Sequence, residues 1–379
     1  MRLLWTLGAG TAALMLAFAM INPVLAVLLQ RQGHGPAFIG AFAMLPFLLV
    51  GLLMPFMPRV LARIGPVAGY RAGAVLELAA MAAFAGSTEL GVWIAASVVS
   101  GIGAAVQWNA AEALLTRHAP AAVRGRVMGL YQTGLGASLA LGPFLPALLG
   151  LSASGALWLA TAFTALCLAL ALVARAPADA EGPKGAGDRA HGPRLLAWLA
   201  VLAFAGGVFE AGLSSIGAAH AASLGMALGQ AASVAGAIGI GSFLVQYPAG
   251  WAGDHVAPRR LFTGAAVVLL GASALFSLAG QAPWLLWACG VAGGAVGGAL
   301  YTLSMVQVAH AFAGQGTAAA TAAIITGYTW GGTLGPLASG VALESAGVRG
   351  MATWLALLAL AAWAAARRLP GTVQATGRA

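Results

Sequence analysis

The sequence predicts an all-α polytopic membrane protein with twelve transmembrane helices in two six-helix bundles. Of its 379 residues, 61% are hydrophobic and 7% are charged, whereas soluble domains carry about a quarter charged residues. Apolar stretches long enough to cross a bilayer, about 20 residues each, recur twelve times along the chain. The predicted spans cover residues 4–29, 37–57, 66–86, 90–115, 125–149, 152–174, 195–219, 228–252, 261–280, 283–308, 317–342 and 349–366.

The distribution of Lys and Arg predicts that both termini are cytoplasmic (N-in, C-in). In that orientation sixteen of the 18 basic residues lie in cytoplasmic segments, and Arg31 and Arg349 lie on the opposite side, as the positive-inside rule requires. These scattered residues also account for the net charge of +9, so a nucleic-acid partner is not expected. The first apolar stretch is too long for a cleaved signal peptide. We expect a multi-pass, monomeric protein of the bacterial cytoplasmic (inner) membrane.

A change of composition divides the chain. Residues 176–193 are rich in Gly, Ala, Pro and charge and have no apolar period, which is typical of a linker. They separate an N-terminal bundle, residues 1–175, from a C-terminal bundle, residues 194–379, which ends in a short cytosolic tail. At an offset of 193 residues, Trp5 aligns with Trp198, Pro55 with Pro248, Gly101 with Gly294, and Gly142-Pro143 with Gly335-Pro336. This match favours a duplicated six-helix unit, and chance is the alternative.

One loop motif resembles a signature of the major facilitator superfamily. After span 8, Gly250 and Asp254 are followed by Arg259 and Arg260 at the start of span 9. Three of the residues between Asp254 and Arg259 depart from the signature. Gly250 is expected to let two helices approach closely, and the arginines are expected to hold the loop on the cytosolic side.

Asp254 is the candidate gate residue in this loop, because the resemblance links such an acid to closure of the cytosolic side. We expect Asp254 to contact the start of span 5, where Arg124, Arg126 and the helix N-terminus all attract an anion. The alternative is a solvated acid in a turn.

Span 5 carries a second motif, Gly129, Gly142 and Pro143, which looks like the superfamily's fifth-helix motif associated with exporters. Span 11 repeats it with Gly335 and Pro336, and all five are expected to act in helix packing. The resemblance covers nearly the whole chain. It implies alternating access by two rocking bundles, with the fourth and seventh helices lining a central cavity and the third at the periphery.

Three acidic residues lie inside predicted spans, Glu77, Glu112 and Glu210. A carboxylate at the bilayer centre costs about 2.5–3.5 kcal/mol, so each is a candidate for proton coupling or substrate binding. Small and polar residues recur on the Glu210 face of span 7 at three- and four-residue spacing, which makes Glu210 the strongest candidate. The alternative for Glu112 is an ion pair at the corner of spans 4 and 5. The alternative for Glu77, on the peripheral third helix, is an interhelical hydrogen bond.

Polar and aromatic residues on spans 1, 4, 5, 10 and 11 are candidates for the substrate cavity, although each is also typical of interhelical or interfacial contacts. They are Asn22, Gln107, Trp108, Asn109, Gln132, Tyr301, Gln307, Tyr328 and Trp330. The sequence places no Arg or Lys at midplane depth, so an obligate anion would lack its usual partner. A neutral, amphipathic or cationic substrate fits better.

These observations predict a secondary active transporter that moves a small organic solute by proton-coupled efflux. The proton gradient is the energy source, and no cofactor or metal is expected, because the sequence has no phosphate-cradling loop or metal-ligand cluster. A proton-coupled metabolite importer is one alternative. A membrane enzyme or assembly factor on the same scaffold is another, but no catalytic groups converge in the sequence. The expected partners are the substrate, protons and the lipid bilayer.

Overall fold

Helices dominate the protein because a backbone inside a bilayer has to satisfy its own hydrogen bonds. A computed structural model describes residues 2–118, 124–174, 193–311 and 317–371. Within these residues, two 3-10 turns, Met54–Phe56 and Gly142–Phe144, and one π-helical turn, Val208–Gly212, interrupt the α-helices. The α-helices are α1 Arg2–Arg31, α2 Pro36–Leu53, α3 Met57–Ile64, α4 Pro66–Gly86, α5 Leu90–His118, α6 Arg124–Leu141, α7 Leu145–Leu148, α8 Ala153–Val173, α9 Pro193–Gly207, α10 Leu213–Ser223, α11 Leu228–His255, α12 Pro258–Phe276, α13 Leu285–Ala311 and α14 Thr317–Ala366.

Ten helical stretches of the described chain are long and apolar enough to cross a membrane. The predicted fifth span corresponds to α6, a 3-10 turn and α7, where the apolar helix is the shorter stretch Thr133–Leu148. Predicted spans 11 and 12 both lie in α14, whose backbone leaves helical geometry at Ala346 and at Gly347, where φ is 60°. Because this φ favours glycine, Gly347 marks a turn between two helices within α14.

Two further predicted spans differ from the helices observed. Span 2 is predicted to end at residue 57, but the chain continues through a 3-10 turn into α3 and ends at Ile64. Proline is tolerated in the first turn of a helix, so Pro55 and Pro58 start new helical segments without stopping the chain. Span 7 is predicted as one helix, yet a π-helical turn divides it into α9 and α10.

The same helix pairs approach closely in both halves of the chain. A Cβ atom added to Gly101 of α5 would lie 2.8 Å from the carbonyl oxygen of Pro46 in α2. At the offset of 193 residues, Gly294 of α13 meets the carbonyl of Ile238 in α11 more closely still. Glycine is required at such positions because the backbones themselves are in contact.

A second pair of contacts shows the same correspondence. A Cβ on Gly142, at the end of α6, would lie 2.9 Å from the carbonyl oxygen of Leu16 in α1. A Cβ on Gly335 in α14 would lie 3.1 Å from the carbonyl oxygen of Val208, where α9 ends. The N-terminal half (α1–α8) and the C-terminal half (α9–α14) therefore share an internal packing scheme at the offset found in the sequence.

The two halves are tightly packed against each other at one end of the molecule. There α2 contacts α14: Gly40 lies against the backbone of Pro336, Gly340 lies against the backbone of Pro36, and neither leaves room for a Cβ. This end carries the α1–α2 turn, and we call it the closed end.

On the other flank of the closed end, α11 packs against α6 and α7. A Cβ on Gly229 would lie 2.8 Å from Ala147 Cα, and one on Gly239 would lie 2.7 Å from Ala140 Cα. Backbone contact between the halves therefore seals both flanks of this end.

Toward the opposite end the halves separate. Phe243 of α11 still meets Gly136 of α6, where a Cβ would lie 3.2 Å from the ring. Tyr247 and Trp251, one and two turns further along the same face of α11, are 83% and 57% exposed. In the N-terminal half, Trp108 of α5 is 43% exposed. A cleft therefore lies between the halves at this end, which we call the open end.

The glycine contacts predict a difference between two helix-interior substitutions. Gly294→Ala is expected to destabilise the protein by about 1–3 kcal/mol, the usual cost of overpacking, because its Cβ would run into the Ile238 backbone. Gly271→Ala in α12 is the control, since open space surrounds that position. Thermal unfolding of detergent-purified protein measures both, and equal melting temperatures for the two variants would contradict the prediction.

Candidate functional site

Glu210 lies in the π-helical turn Val208–Gly212 between α9 and α10. A π turn is rare, and it occurs frequently at functional sites. Gly207 and Gly212 flank Glu210, and both press so closely against α14 that neither has room for a Cβ. Backbone packing thus holds the turn in place and sets the direction of the Glu210 side chain.

Three further helices surround the Glu210 carboxyl. The Tyr328 hydroxyl on α14 donates a hydrogen bond to Glu210 Oε2, and Ser242 of α11 lies beside the same carboxyl. A Cβ on Gly297 of α13 would lie 3.5 Å from Glu210 Cγ. Tyr301, about one turn further along α13, packs its ring 4.8 Å from that of Tyr328. The carboxyl is therefore half-buried among aromatic and hydroxyl groups.

The N-terminal half contributes a second carboxyl. Glu112 of α5 is exposed and accepts a 2.7 Å hydrogen bond from Trp108 Nε1. Tyr301 of the opposite half lies within electrostatic reach of both Glu112 and Glu210. The ion pair that is the alternative role of Glu112 involves arginines whose side chains lie outside the described residues.

Glu77 has a different environment. It is 1% exposed and accepts a 2.9 Å hydrogen bond from Ser100 Oγ. A Cβ on Gly103 of α5 would lie 3.2 Å from the Glu77 backbone nitrogen, so α4 and α5 are in close contact here. This arrangement is the interhelical hydrogen bond that the resemblance implies for the residue.

Gln107 does not line the cleft, contrary to the prediction. It is 1% exposed, and its Nε2 donates to Cys167 Sγ at 3.1 Å. The Tyr70 hydroxyl lies 3.8 Å from the same sulfur and 3.0 Å from Thr11 Oγ1. Consecutive side chains on a helix point about 100° apart, so Gln107 turns toward α4 and α8 when Trp108 faces the cleft.

The other predicted cavity residues are divided between helix contacts and partly open positions. Asn109 Nδ2 donates to the Ala105 carbonyl at 2.9 Å and lies 3.0 Å from Met54 Sδ, so it faces the end of α2. Gln307 is 5% exposed. The side chain of Gln132 lies outside the described residues. Besides Asn109, the half-buried members of the set are Asn22, Tyr301, Tyr328 and Trp330.

In the loop motif, the contacts of Asp254 and Gly250 differ from those expected. α11 continues to His255, so Asp254 lies in the last turn of a helix. Asp254 Oδ1 lies 3.1 Å from Nε2 of His310, at the end of α13 in the same half. Gly250 faces open space, and Gly253 makes the close approach to α13 instead. The prediction for Gly250 was wrong because it assumed the facing of this helix from a short motif.

The four arginines assigned to a cytosolic gate fall into two groups. The side chains of Arg124 and Arg126 lie outside the described residues, so their contact with the acid of α11 stays a prediction. Arg259 Nη2 donates to the Arg367 carbonyl at 2.7 Å, and Arg260 next to it is exposed. Because α12 starts beside the end of α14, Arg259 contacts its own half of the protein. The gate assignment for this pair is therefore not supported by their contacts.

The residues of the predicted helix-packing motif lie at helix contacts where they are described. Gly142 and Pro143 are buried in the 3-10 turn that packs on α1. Gly335 lies against the π-helical turn, and Pro336 presents its backbone to α2. The surroundings of Gly129 lie outside the described residues.

Glu344, which no sequence pattern singles out, joins the two halves at the closed end. Its Oε2 accepts a 2.8 Å hydrogen bond from the backbone nitrogen of Ala37. α2 starts at Pro36 after Gly35, which has no side chain to cap the helix, and the first N–H groups of a helix need partners from elsewhere. Glu344 of α14 supplies one from the opposite half, and the helix N-terminus stabilises its negative charge.

A helical membrane protein of two halves, with a polar cleft open at one end and closed at the other, has the architecture of a transport protein. The chain belongs to the Major Facilitator Superfamily, whose family model matches residues 7–216 and again residues 199–378. The protein is therefore a secondary transporter of this superfamily.

Individual relatives agree with this membership. The uncharacterised MFS-type transporter YfkF of Bacillus subtilis (strain 168) is 24% identical over 330 residues, 85% of this chain and 83% of the relative. The fold is similar to that of the nucleoside transporter NupG, with a TM-score of 0.75 and 12% identity over 96% of this chain and 98% of the other. A D-xylose-proton symporter has a TM-score of 0.72 and 14% identity over 96% of both chains.

A third solved structure, a bacterial homologue of the human lysosomal transporter Spinster in an inward-facing, unoccupied conformation, has a TM-score of 0.72 and 16% identity over 96% of this chain and 95% of the other. At such identities, the solved structures establish the fold.

The contact of Glu344 with α2 predicts that this carboxylate stabilises the closed end. Glu344→Gln keeps a hydrogen-bond acceptor and removes the charge, which is worth about 0.3–1 kcal/mol at a helix N-terminus. We expect the population with this end open to rise by about 2- to 5-fold. The distance between spin labels at the exposed residues Gln32 and Gln281 measures the change.

Glu89→Gln is the matched control, because Glu89 is exposed and lies in the α4–α5 turn within one half. It should leave the distance distribution as it is in the parent. A distribution that Glu344→Gln also leaves unchanged would show that the contact does not hold the halves together.

Proposed function

We propose that the protein exports a neutral, amphipathic or cationic small organic compound in exchange for protons, by alternating access. It acts as a monomer of twelve membrane spans, with both termini in the cytoplasm of a bacterium, and draws its energy from the proton gradient without a cofactor. The observation that carries the proposal is the pair of carboxyls, Glu112 and Glu210, which come from opposite halves and both lie within electrostatic reach of Tyr301.

Glu210 is the group for which proton and substrate compete. An ionised carboxyl accepts the Tyr328 hydrogen bond and attracts a cationic group, whereas a protonated carboxyl becomes a donor and loses that attraction. Binding of a proton at Glu210 therefore releases a cation, and binding of the cation releases the proton. Exchange of the two across the membrane follows when each occupied state changes conformation.

The side chains around the cleft favour a substrate that is cationic or aromatic. Among the described residues neither Glu112 nor Glu210 forms an ion pair, and a cationic group of the substrate would supply a partner. The rings of Trp108, Tyr301 and Tyr328 offer faces for cation–π contact and apolar surface for a flat substrate.

The distribution of arginines between the two ends supports export. Exposed arginines of both halves gather there, including Arg59, Arg63, Arg194, Arg260 and Arg368, whereas Arg31 and Arg349 flank the turns at the closed end. The positive-inside rule places the arginine-rich end in the cytoplasm. In this conformation the cleft would load from the cytoplasm, and the fifth-helix motif is of the type associated with exporters.

A proton-coupled importer is the second candidate, and the likeness in fold to a D-xylose-proton symporter favours it. A pH gradient imposed on proteoliposomes distinguishes the two. An importer accumulates substrate that enters together with protons from the acidic side, whereas an exporter accumulates substrate inside vesicles whose lumen is acidic.

Glu210→Gln tests the coupling role. The amide keeps the size of the side chain and cannot exchange a proton, so accumulation of ethidium in vesicles with an acidic lumen should fall by about 5- to 150-fold, the range of typical coupling free energies. Counterflow of ethidium without a gradient should persist. Unchanged gradient-driven accumulation would exclude Glu210 as the coupling group.

Glu77→Gln is the control for this experiment, because Glu77 is also a buried carboxyl in a hydrogen bond but lies between α4 and α5. It should retain gradient-driven accumulation. Loss of coupling in Glu77→Gln alone would move the coupling site into the N-terminal half.

Asp254→Asn tests the cytosolic gate. In the open cleft Asp254 is paired with His310 of its own half, and exposed ion pairs contribute about 0–1 kcal/mol. If Asp254 meets the start of α6 when the cleft closes, the substitution should increase the population that is open to the cytoplasm. Labels at the exposed residues Ala62 and Ala364 report the distance.

The two other outcomes are equally informative. A shift toward the closed cleft would mean that the pair with His310 is the stronger contact. An unchanged distance would reject any gate role for Asp254.

A further inference from the structure

Five arginines gather at the open end of the C-terminal half, although they come from three separate parts of the chain. They lie at the start of α9, at the start of α12 and directly after α14. All are exposed: Arg194, Arg259, Arg260, Arg367 and Arg368. The positive-inside rule accounts for basic residues on one side of a membrane, but it does not require that they converge.

These arginines line two neighbouring concave pockets, each with a tryptophan in its wall. The first, the Arg194 pocket, has a volume of about 680 Å³ and includes Trp198 and Arg368. The second, the Arg260 pocket, has a volume of about 530 Å³ and includes Arg259, Trp363 and Arg367. The end of α14 separates the two, since Arg367 lines one pocket and Arg368 the other.

Two of the five arginines build the pockets. Arg259 Nη2 donates to the Arg367 carbonyl at 2.7 Å, and the Arg259 backbone nitrogen donates to the Pro370 carbonyl at 3.3 Å. The Arg367 guanidinium lies over the Trp363 ring, 4.8 Å from its centroid. These contacts fix the chain after α14 against the start of α12. Arg260 and Arg368 take no part in them.

The pockets have no negative counterpart in the described chain. Within residues 2–118, 124–174, 193–311 and 317–371, no carboxylate forms an ion pair with an arginine, and Asp254, the acid at the end of α11, is paired with His310. Positive charges that converge on one surface attract an anion. The pockets therefore suit an anionic ligand.

The surface next to the Arg260 pocket indicates what kind of anion it is. Arg260, Gly264, Val267 and Gly271 follow one another on α12 at spacings of three and four residues, so they share one face. Nothing lies within 4 Å of a Cβ at either glycine, and Val267 is 58% exposed. The glycines leave a shallow apolar furrow that begins under Arg260 and runs along the membrane-facing side of the helix.

We propose that the two pockets bind the phosphate headgroups of anionic phospholipids in the leaflet at the open end. Guanidinium groups bind phosphate oxygens in a bidentate manner, and tryptophan is favoured at the depth of the headgroups. Arg260 and Arg368 hold the phosphates, Trp363 and Trp198 pack beside the headgroups, and an acyl chain lies in the furrow of α12. Basic pockets between membrane helices suit this ligand class. A free phosphate ion offers nothing for the furrow to bind.

Native mass spectrometry of the full-length protein tests this site with defined probes. Dioleoylphosphatidylglycerol is expected to bind to the purified protein more tightly than dioleoylphosphatidylcholine, with up to two strongly held molecules. Removal of both free guanidiniums in R260Q/R368Q should weaken apparent affinity for phosphatidylglycerol by about tenfold or more, because each basic side chain near a membrane surface contributes separately. The affinity of R260K/R368K for phosphatidylglycerol should lie between those of the parent and R260Q/R368Q, since lysine keeps the charge and loses the bidentate geometry.

The control variant is R59Q/R63Q, which removes the same charge from exposed positions of α3 at the open end. It should keep the affinity of the parent. An equal loss in this control, or equal affinity of the parent for both lipids, would overturn the proposal. Full competition of phosphatidylglycerol by millimolar inorganic phosphate would assign the pockets to a free anion and would also overturn it. Size-exclusion profiles establish that each variant is folded before its lipid affinity is compared.

Discussion

Close backbone contact at glycine is the constraint on which the rest of this structure depends. Between helices in a bilayer there is no hydrophobic driving force, so they are held by van der Waals packing of surfaces that meet closely. Gly40 and Gly340 on one flank, and Gly229 and Gly239 on the other, bring the halves into contact at the closed end. At the open end Gly250 faces open space. The distribution of close contacts thus determines where the cleft lies.

The same constraint places the candidate coupling group. Gly206 meets Gly297 of α13, while Gly207 and Gly212 meet α14, so α9 and α10 are fixed on two sides around the π-helical turn. Glu210 within that turn consequently projects toward Tyr328. The hydrogen bond between Tyr328 and Glu210 is short-range and depends on this packing. Any movement of α14 relative to the turn therefore alters the surroundings of the carboxyl. A change of conformation would therefore change the hydrogen bonding of Glu210.

The sequence predicts the features that depend on composition and spacing. The membrane helices, the division into halves and the recurring glycine contacts at Gly101 and Gly294 follow from apolar length and from the repeat. It does not predict features that depend on which way one helix faces another. Gln107 turns into a helix contact one position from the exposed Trp108, and Glu344 becomes a cap only because the turn at Gly347 within α14 lies near the start of α2. The π-helical turn leaves no pattern in hydropathy.

In each half an arginine binds the last carbonyls of a neighbouring helix, and in the C-terminal half the next arginine along the chain, Arg260, is exposed. The last carbonyls of a helix lack intrahelical partners, and an arginine nearby can supply them. In the N-terminal half, Arg71 of α4 donates to the carbonyls of Ala171, Leu172 and Ala174 at the end of α8. In the C-terminal half, Arg259 of α12 does the same at the end of α14. Its neighbour Arg260 is exposed and takes no part in this contact, so its charge is available to an anionic headgroup.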